Sequence, residues 1–401
     1  MSLPEQFSEL VKQHLHDDVQ QLALQRNRFP QLSDADFRFL LQQIEGRQRT
    51  CEKLPVLSAL PDWWFPVRLS CEQCSSEATA RYKAQIGGAY HLLIDLTAGY
   101  GIDTFHMAAL AREAHYVERN ADLCAIAAHN FQLYRPHIQV HNTTAEDFLS
   151  SLPHHPLAQH PLSHTLIYLD PARRSQSGGK VFRIEDCEPN VIELLPTLRM
   201  HADRIMIKFS PMLDITAALR ALGSDWDTHI VAVNNEVKEV LFVTGKGFIH
   251  AVNIRTREMH TDRFCFRPED EKQAPLHLAP AIQPYIYEPN AAIIKAGAYR
   301  LISERYGLSK LDTNTHLYTS DTLLPDFPGR VWQVVDAEIK DPKKQLLSSV
   351  RYSILSRNYP LSPDQIRKKY KLRDGDDQYL IAARHQGKPL LIGAKRLMFS
   401  V

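Results

Sequence analysis

The chain has 401 residues, 44% of them hydrophobic and 23% charged, with a formal net charge of +1 at pH 7. That composition suits a globular protein of two to four units and excludes an overall basic field, so any footprint for nucleic acid must be local. Six cysteines exclude a disulfide framework, and no run approaches the ~18 apolar residues that cross a bilayer.

No basic start is followed by an apolar run, so a cytoplasmic protein without membrane contact is expected. Cys71 and Cys74 form a CxxC pair, but no second pair or histidine set completes a tetrahedral zinc site. No metal is expected there, and two ordinary helical thiols are.

Residues 1–90 read as a helical N-terminal region. Ser33 supplies an N-cap followed by Asp34 and Asp36, and Phe37, Leu40, Leu41 and Ile44 recur at helical spacing. Pro55, Pro61 and Pro66 break the pattern, and a further helix is predicted from Ser75 to Ile86, ending at Gly87-Gly88.

From His91 the pattern changes to short apolar runs alternating with helical stretches, which predicts a mostly parallel, Rossmann-like α/β sheet over 91–245. The runs are Leu92–Leu96, His115–Val117, Ile138–Val140, Leu166–Leu169, Arg204–Ile207 and Ile230–Val233. A seventh, Val237–Val243, follows after only Asn234-Asn235-Glu236, too short for a crossover, so this last strand must be reversed. Ser151 to His164 reads as a loop; its histidines lack the carboxylates that would accompany them in a metal site. Residues 246–276 read as a linker or edge segment. Two small α+β units are expected to follow, over 277–325 and 326–401.

Ligands of an open parallel sheet sit beyond the carboxyl ends of its strands. Those ends carry Asp95, Glu118, the pair Glu146-Asp147, Asp170, Lys208 and Asn234. The first strand runs into Thr97-Ala98-Gly99-Tyr100-Gly101, where Gly99 and Gly101 let backbone pass beneath a ligand without a Cβ in the way. Asp95 suits a cofactor with an α-amino group. A nicotinamide fingerprint would need a third glycine where Thr104 stands, and a pyrophosphate would sit badly beside Asp95 and Asp103. An oxidoreductase is therefore the weaker reading. Glu118 can accept from both hydroxyls of a ribose. Asp147 either accepts from an adenine amino group, with Phe148 against the ring, or belongs with Glu146 to a helix cap.

Asp95-Leu-Thr-Ala-Gly-x-Gly-x-Asp-Thr-Phe105 resembles the first motif of class I methyltransferases and is similar to ribosomal-RNA guanine-N2 enzymes. The reversed last strand is characteristic of the same class. The wider chain resembles a bacterial methyltransferase family with a THUMP-like C-terminal domain. The matching stretches are Glu72 to Lys83, Asp170-Pro-Ala-Arg-Arg-Ser175, Phe182 to Asn190, Lys208 to Asp214 and Tyr287-Glu-Pro-Asn-Ala291. The resemblance implies a seven-stranded methyltransferase sheet with ferredoxin-like and THUMP-like units behind it. It also implies S-adenosyl-L-methionine as cofactor and RNA, tRNA or rRNA, as partner.

On that resemblance Asp95, Thr97, Gly99, Gly101, Glu118 and Asp147 hold the cofactor. Amino-methylating enzymes carry Asn/Asp-Pro-Pro-aromatic after the fourth strand, where acid and prolyl carbonyl aim the target amine. Here Asp170 and Pro171 match, while Arg173 stands in the aromatic position. Arg173 either stacks on a base or grips phosphate, or it forms a solvated turn with Arg174. Lys208 either neutralises a phosphate or Asp170, or is a structural ion pair. No cysteine stands at a matching strand end, which disfavours pyrimidine C5 methylation. Gln73 to Lys83 occupies the place of a lid over the methionine moiety, with Ser75, Ser76 and Thr79 as polar contacts, or is a plain packing helix.

From Lys343 to Arg373 there are nine basic residues and one acid, Asp364. Ser362-Pro363-Asp364-Gln365 is a capping box opening a helix with Arg367, Lys368, Lys369 and Lys371, next to strand-like Tyr379–Ala382 and Leu390–Ile392. That basic helix is either an RNA-gripping surface, which the THUMP-like resemblance favours, or a solvated face. A cofactor-binding RNA module without catalysis is the remaining rival. The RNA, the base and the oligomeric state stay open.

Overall fold

A strand buried on both faces needs an unbroken apolar run, and Leu166–Leu169 satisfies this throughout, as do the central residues Leu93-Ile94, Ile205–Ile207 and Ile230–Ala232 of other expected runs, all at or near zero exposure. The computed structural model describes residues 5–152, 164–173, 184–347 and 349–399. Two compact units emerge, one of Met1–Trp226 with Val240–Thr244, the other of Asp227–Glu239 with Gly245–Val401.

In the first unit the strands are Tyr90–Asp95 (β1), Ala111–Glu118 (β2), Ile138–Asn142 (β3), Thr165–Leu169 (β4) and Arg204–Phe209 (β5). Trp226–Val233 (β6) and Glu236–Thr244 (β7) carry the chain between units. The order in this unit is β3-β2-β1-β4-β5-β7. The first five strands run parallel, and β7 lies antiparallel to β5, pairing Phe209 with Val240 through Met206 with Val243. The reversed strand expected from the three-residue gap is present. Winding changes direction between β1 and β4, so the crevice above β1 is the switch point of the sheet.

Helices Ile102–Met107 (α6), Ala121–Tyr134 (α7), Ala145–Ser151 (α8), Val191–His201 (α9) and Ile215–Leu222 (α10) follow strands as crossovers. Ile94, Ile167, Ile207 and Phe242 centre the core on one face, sealed by Val191, Leu195 and Leu198 of α9. The N-terminal region is helical: Glu5–Gln13 (α1), Val19–Ala23 (α2), Asp34–Thr50 (α3), Arg68–Gln73 (α4) and Glu77–Gly87 (α5). Ser33 caps α3 by accepting from Asp36 N–H, and Phe37, Leu40 and Ile44 enter a small core with Val11, Leu22 and Phe29.

The second unit takes its first strands in the order β9-β8-β6-β7, where β8 is Ile249–Arg255 and β9 is His260–Phe266. The stretch read as a linker or edge thus contributes two regular strands. Phe264 and Phe266 alternate with exposed Arg263 and Cys265, the period-2 pattern of a half-buried strand. Pro268–Gln273 (α11) follows. The second sheet is built from Tyr285–Pro289 (β10), Ser309–Asp312 (β11), Thr315–Ser320 (β12), Gly329–Asp336 (β13), Arg351–Ser356 (β14), Gln378–His385 (β15) and Lys388–Leu397 (β16). Its order is β11-β12-β10-β13-β16-β15-β14, with Arg373–Asp374 at the edge. Ala291–Ala296 (α12), Leu301–Tyr306 (α13), Pro342–Gln345 (α14) and Pro363–Tyr370 (α15) accompany it. No helix among the described residues is long and apolar enough to cross a membrane.

Asn234, expected at a ligand-facing strand end, and Asn235 form the β6–β7 turn that the three-residue gap implied. Their φ values are +50° and +68°, the left-handed pair that a two-residue hairpin requires and that asparagine tolerates best after glycine. Asn235 Oδ1 also accepts from Ala291 N–H at 2.8 Å. Asn235→Ala should therefore lower stability by about 2 kcal/mol, from left-handed strain plus one lost hydrogen bond. A denaturant titration checks this, and a loss under 0.5 kcal/mol would contradict the turn assignment.

Candidate functional site

The tip of β1 is where the first unit gathers its polar side chains. Gly99 has φ +54°, and a Cβ placed there would meet nothing within 4 Å. Gly101, at φ +83°, caps α6, and its Cβ would come within 2.8 Å of Phe131 Cζ. The first glycine therefore leaves open space on the outer side of the loop, and the second lets the loop press against α7.

Glu118, at the tip of β2, holds this loop. Its Oε2 accepts from Gly99 N–H at 2.9 Å and its Oε1 from Asn120 N–H at 2.8 Å. A carboxylate has about four lone-pair sites, so two backbone donors orient it and leave capacity for two more. From below, Tyr116 donates its hydroxyl to Gly99 O at 2.5 Å.

Asp95 has no exposed surface. Thr104 Oγ1 donates to its Oδ2 at 2.5 Å and Thr97 N–H to its Oδ1 at 3.3 Å. Burial, with the charges of Asp103 and Asp170 behind it, pushes the Asp95 carboxyl up to about 8 against those hydrogen bonds. Asp95 therefore braces the loop from inside the fold. Thr97 also links strands: its Oγ1 accepts from Asp170 N–H at 2.6 Å.

The tips of β4 and β5 meet in an ion pair between Asp170 Oδ2 and Lys208 Nζ, the latter side chain 13% exposed and the former 37%. Asp170 Oδ1 has no donor among the described residues. Pro171 is buried beside it. The backbone of Ala172–Arg173 pairs with Cys187–Glu188 in a short antiparallel ribbon. The Arg173 side chain, Arg174 and the stretches 153–163 and 174–183 lie outside the described residues, and with them the expected histidine loop and Phe182.

Asp147 is exposed in the first turn of α8, behind the N-cap Thr144, whose hydroxyl accepts Asp147 N–H at 3.1 Å. Capping thus belongs to Thr144 and not to the acids. Phe148, expected against an adenine, is turned inward: it is 6% exposed and packs on His115 and His141, with ring centroids 5.6 and 4.9 Å away. A phenylalanine one residue along from an exposed helix position faces the core, where its burial is more favourable.

One cluster was missed by sequence reasoning. Lys83 of α5 is completely buried and lies 3.2 Å from Asp103 Oδ1 in the first turn of α6. Ser75 and Tyr168 hydroxyls both donate to Asp103 Oδ2 at 2.7 Å. Burial alone would raise the Asp103 carboxyl, but Lys83, then Lys208, and the two hydroxyls outweigh it and hold it below the usual range. The signal was available: Thr79, Ala80, Lys83, Ala84 and Gly87 form one buried stripe at helical spacing, and a lysine on such a stripe needs a partner. Of the supposed lid residues, Ser75 joins this network, and Ser76 caps α5 by accepting Thr79 N–H at 3.2 Å.

In the second unit Ser362 and Gln365 form the expected capping box of α15. Lys368, Lys369 and Lys371 are exposed, while Arg367 is committed to Asp364 at 3.0 Å and Asp374 at 2.5 Å.

This open sheet, with a glycine turn, an acid at the second strand tip and a reversed last strand, defines a class I methyltransferase fold. Comparison with known proteins agrees. Residues 285–328 match a ferredoxin-like domain and 329–396 a domain described as THUMP domain-like. The crystal structure of a protein from Porphyromonas gingivalis W83, assigned as a methyltransferase, is similar over 99% of this chain and 100% of its own, with TM-score 0.85 and 30% identity. Two proteins of Mycobacterium tuberculosis strains, named as S-adenosylmethionine-dependent methyltransferases, are 28% identical over 221 residues. That match covers 53% of this chain and 59% of theirs, so the chain spans under two thirds of those relatives. The chain belongs to the family of S-adenosylmethionine-dependent methyltransferases that carry ferredoxin-like and THUMP-like C-terminal domains.

The raised Asp95 value has a signed consequence. A folded-state value near 8 against an unfolded value near 4 means that the folded state binds more protons between those limits, so this group's contribution falls as pH rises through the window. The stability difference between Asp95→Asn and the parent chain should shift toward the variant from pH 4 to pH 8. Denaturant midpoints across that range measure it, and a constant difference would contradict a neutral buried Asp95.

Proposed function

We propose that the chain transfers a methyl group from S-adenosyl-L-methionine to a nitrogen of an RNA base, in tRNA or rRNA, and that it acts in the cytoplasm. The observation that carries this reading is the Glu118 carboxylate, oriented by Gly99 and Asn120 N–H groups at the edge of a glycine turn with open space above it. When bound, the cofactor supplies an activated methyl group on sulfur.

The residues present fit such a group. Glu118 takes the ribose hydroxyls with its two remaining acceptor sites, and exposed Asp147 takes the adenine amino group. Gly99 keeps the trough clear, Gly101 keeps the loop low, and Thr97 and Asp95 fix the loop from inside. Across the crevice, Lys208 holds Asp170 Oδ2, and Oδ1 of this part-exposed side chain has no donor among the described residues. That oxygen and the Pro171 carbonyl accept the hydrogens of the target amine and aim its lone pair. As nitrogen gains carbon, Asp170 takes the proton released. In-line displacement depends on such positioning for much of its rate. The THUMP domain-like match and the exposed Lys368, Lys369 and Lys371 support RNA as the substrate. Arg367, tied to two acids, contributes less.

Glu118→Ala should weaken adenosylhomocysteine binding at least tenfold, about 1.4 kcal/mol, in calorimetry on a variant that melts like the parent. Equal affinity would remove the ribose assignment. Asp170→Asn should keep that affinity within about twofold yet lose about a hundredfold in turnover. Turnover is read as methyl incorporation into RNA from cells lacking the protein, with nucleoside mass spectrometry naming the product. RNA from such cells with an unchanged set of methylated nucleosides would refute an RNA substrate.

A further inference from the structure

The Tyr287-Glu-Pro-Asn-Ala291 stretch builds a distinct charge arrangement in the second unit. Glu288 of β10 stands directly opposite Arg330 of β13 in antiparallel register. The Glu288 side chain is only 2% exposed. Its Oε2 accepts from Arg330 Nε at 2.9 Å and also from Arg330 Nη2, while its Oε1 accepts from Arg357 Nε at 2.6 Å. Arg357 Nη1 adds a bond to the Ser356 carbonyl at 2.9 Å.

One buried carboxylate thus answers two guanidinium groups and leaves a local charge of +1. Each guanidinium has five N–H donors, and those bonds occupy two on each arginine. The remaining donors have no acceptor among the described residues. The two side chains are 30% and 40% exposed, so those donors reach solvent. Arg330 also lies 5.5 Å from the centroid of the buried Trp332 ring, which holds it from another side.

We propose that Arg330 and Arg357 form a preassembled site for a phosphate of the RNA backbone, an inference that rests on the RNA reading above. A surface arginine ordinarily loses rotamer freedom when it binds an anion; these two are already fixed from within by Glu288, so less ordering remains to be done. Their free forks match the two non-bridging oxygens of a phosphodiester, which a lysine pair would meet only as point charges. Glu288 lies in the ferredoxin-like segment and both arginines in the THUMP-like one, so the site exists only where the two are joined. A phosphate held there orients RNA by its backbone and carries no sequence information.

The test uses the full chain and a fluorescein-labelled RNA hairpin of mixed sequence, followed by anisotropy across a salt series without cofactor. The Arg330→Gln/Arg357→Gln double variant should bind about tenfold more weakly, with the slope of log affinity against log salt reduced by about 1. Arg330→Lys/Arg357→Lys keeps the charge against Glu288 and should keep the slope while losing about threefold in affinity. This second variant carries the test by itself if the first fails to fold, as judged by its thermal melt. A parent chain that binds no RNA overturns both this inference and the RNA reading. A parent that binds, with both variants unchanged in affinity and slope, overturns this inference alone. So does a variant that keeps RNA affinity but loses binding to polyglutamate, which would mark the pair as a site for an acidic protein.

Discussion

A parallel strand ends by releasing backbone N–H groups into a crevice, and a ligand site can form there only if the loop that follows is held in one shape. At the tip of β1 that work falls to Glu118. Its carboxylate takes Gly99 N–H from one loop and Asn120 N–H from the next, so two strand tips become one rigid rim. The positive φ of Gly99 and the hydroxyl of Tyr116 on its carbonyl fix the same turn from the other side. Everything else in the crevice is placed relative to that rim: Thr97 ties it to Asp170, and Asp170 ties β4 to Lys208 of β5.

Beneath the rim two carboxylates eight residues apart are kept in opposite states. Asp95 is fully buried and meets hydroxyl and amide donors, and burial favours its neutral form. Asp103 meets Lys83 and two hydroxyls, and its charged form prevails. Unlike environments for neighbouring acids are a recurrent way to divide roles between them. Here the neutral acid stiffens the glycine loop without adding charge to the crevice floor. The charged one anchors α5 to α6, and through Tyr168 it reaches the strand that ends in Asp170.

Much of this was legible in the sequence because it depends on local pattern. Apolar runs located the seven strands from β1 to β7, and the three-residue gap Asn234-Asn235-Glu236 forced the reversal of β7. Ser33 and Ser362 announced their helices. What the sequence hid depends on direction and distance. Whether Phe148 looks into the core or out to a ligand turns on a rotation of one residue about α8, which composition does not encode. Asn234 and Asn235 were legible as a short reversal, but not as the left-handed pair that spends their side chains on the turn instead of on a ligand. Two strands of 249–266 were obscured by the prolines and acids that follow them. Lys83 and Asp103, like Glu288 with Arg330 and Arg357, are partners only across folded distance.

The account stands on the trough above Gly99 being a nucleoside site edged by Glu118. A crystal structure of the full chain with adenosylhomocysteine addresses it most directly. The account predicts the ligand's ribose hydroxyls on the Glu118 carboxylate and its amino-acid end over the Gly99 turn, with Lys208 and Asp170 still paired beyond the sulfur. A ligand bound elsewhere, or a ribose that leaves Glu118 untouched, would contradict it.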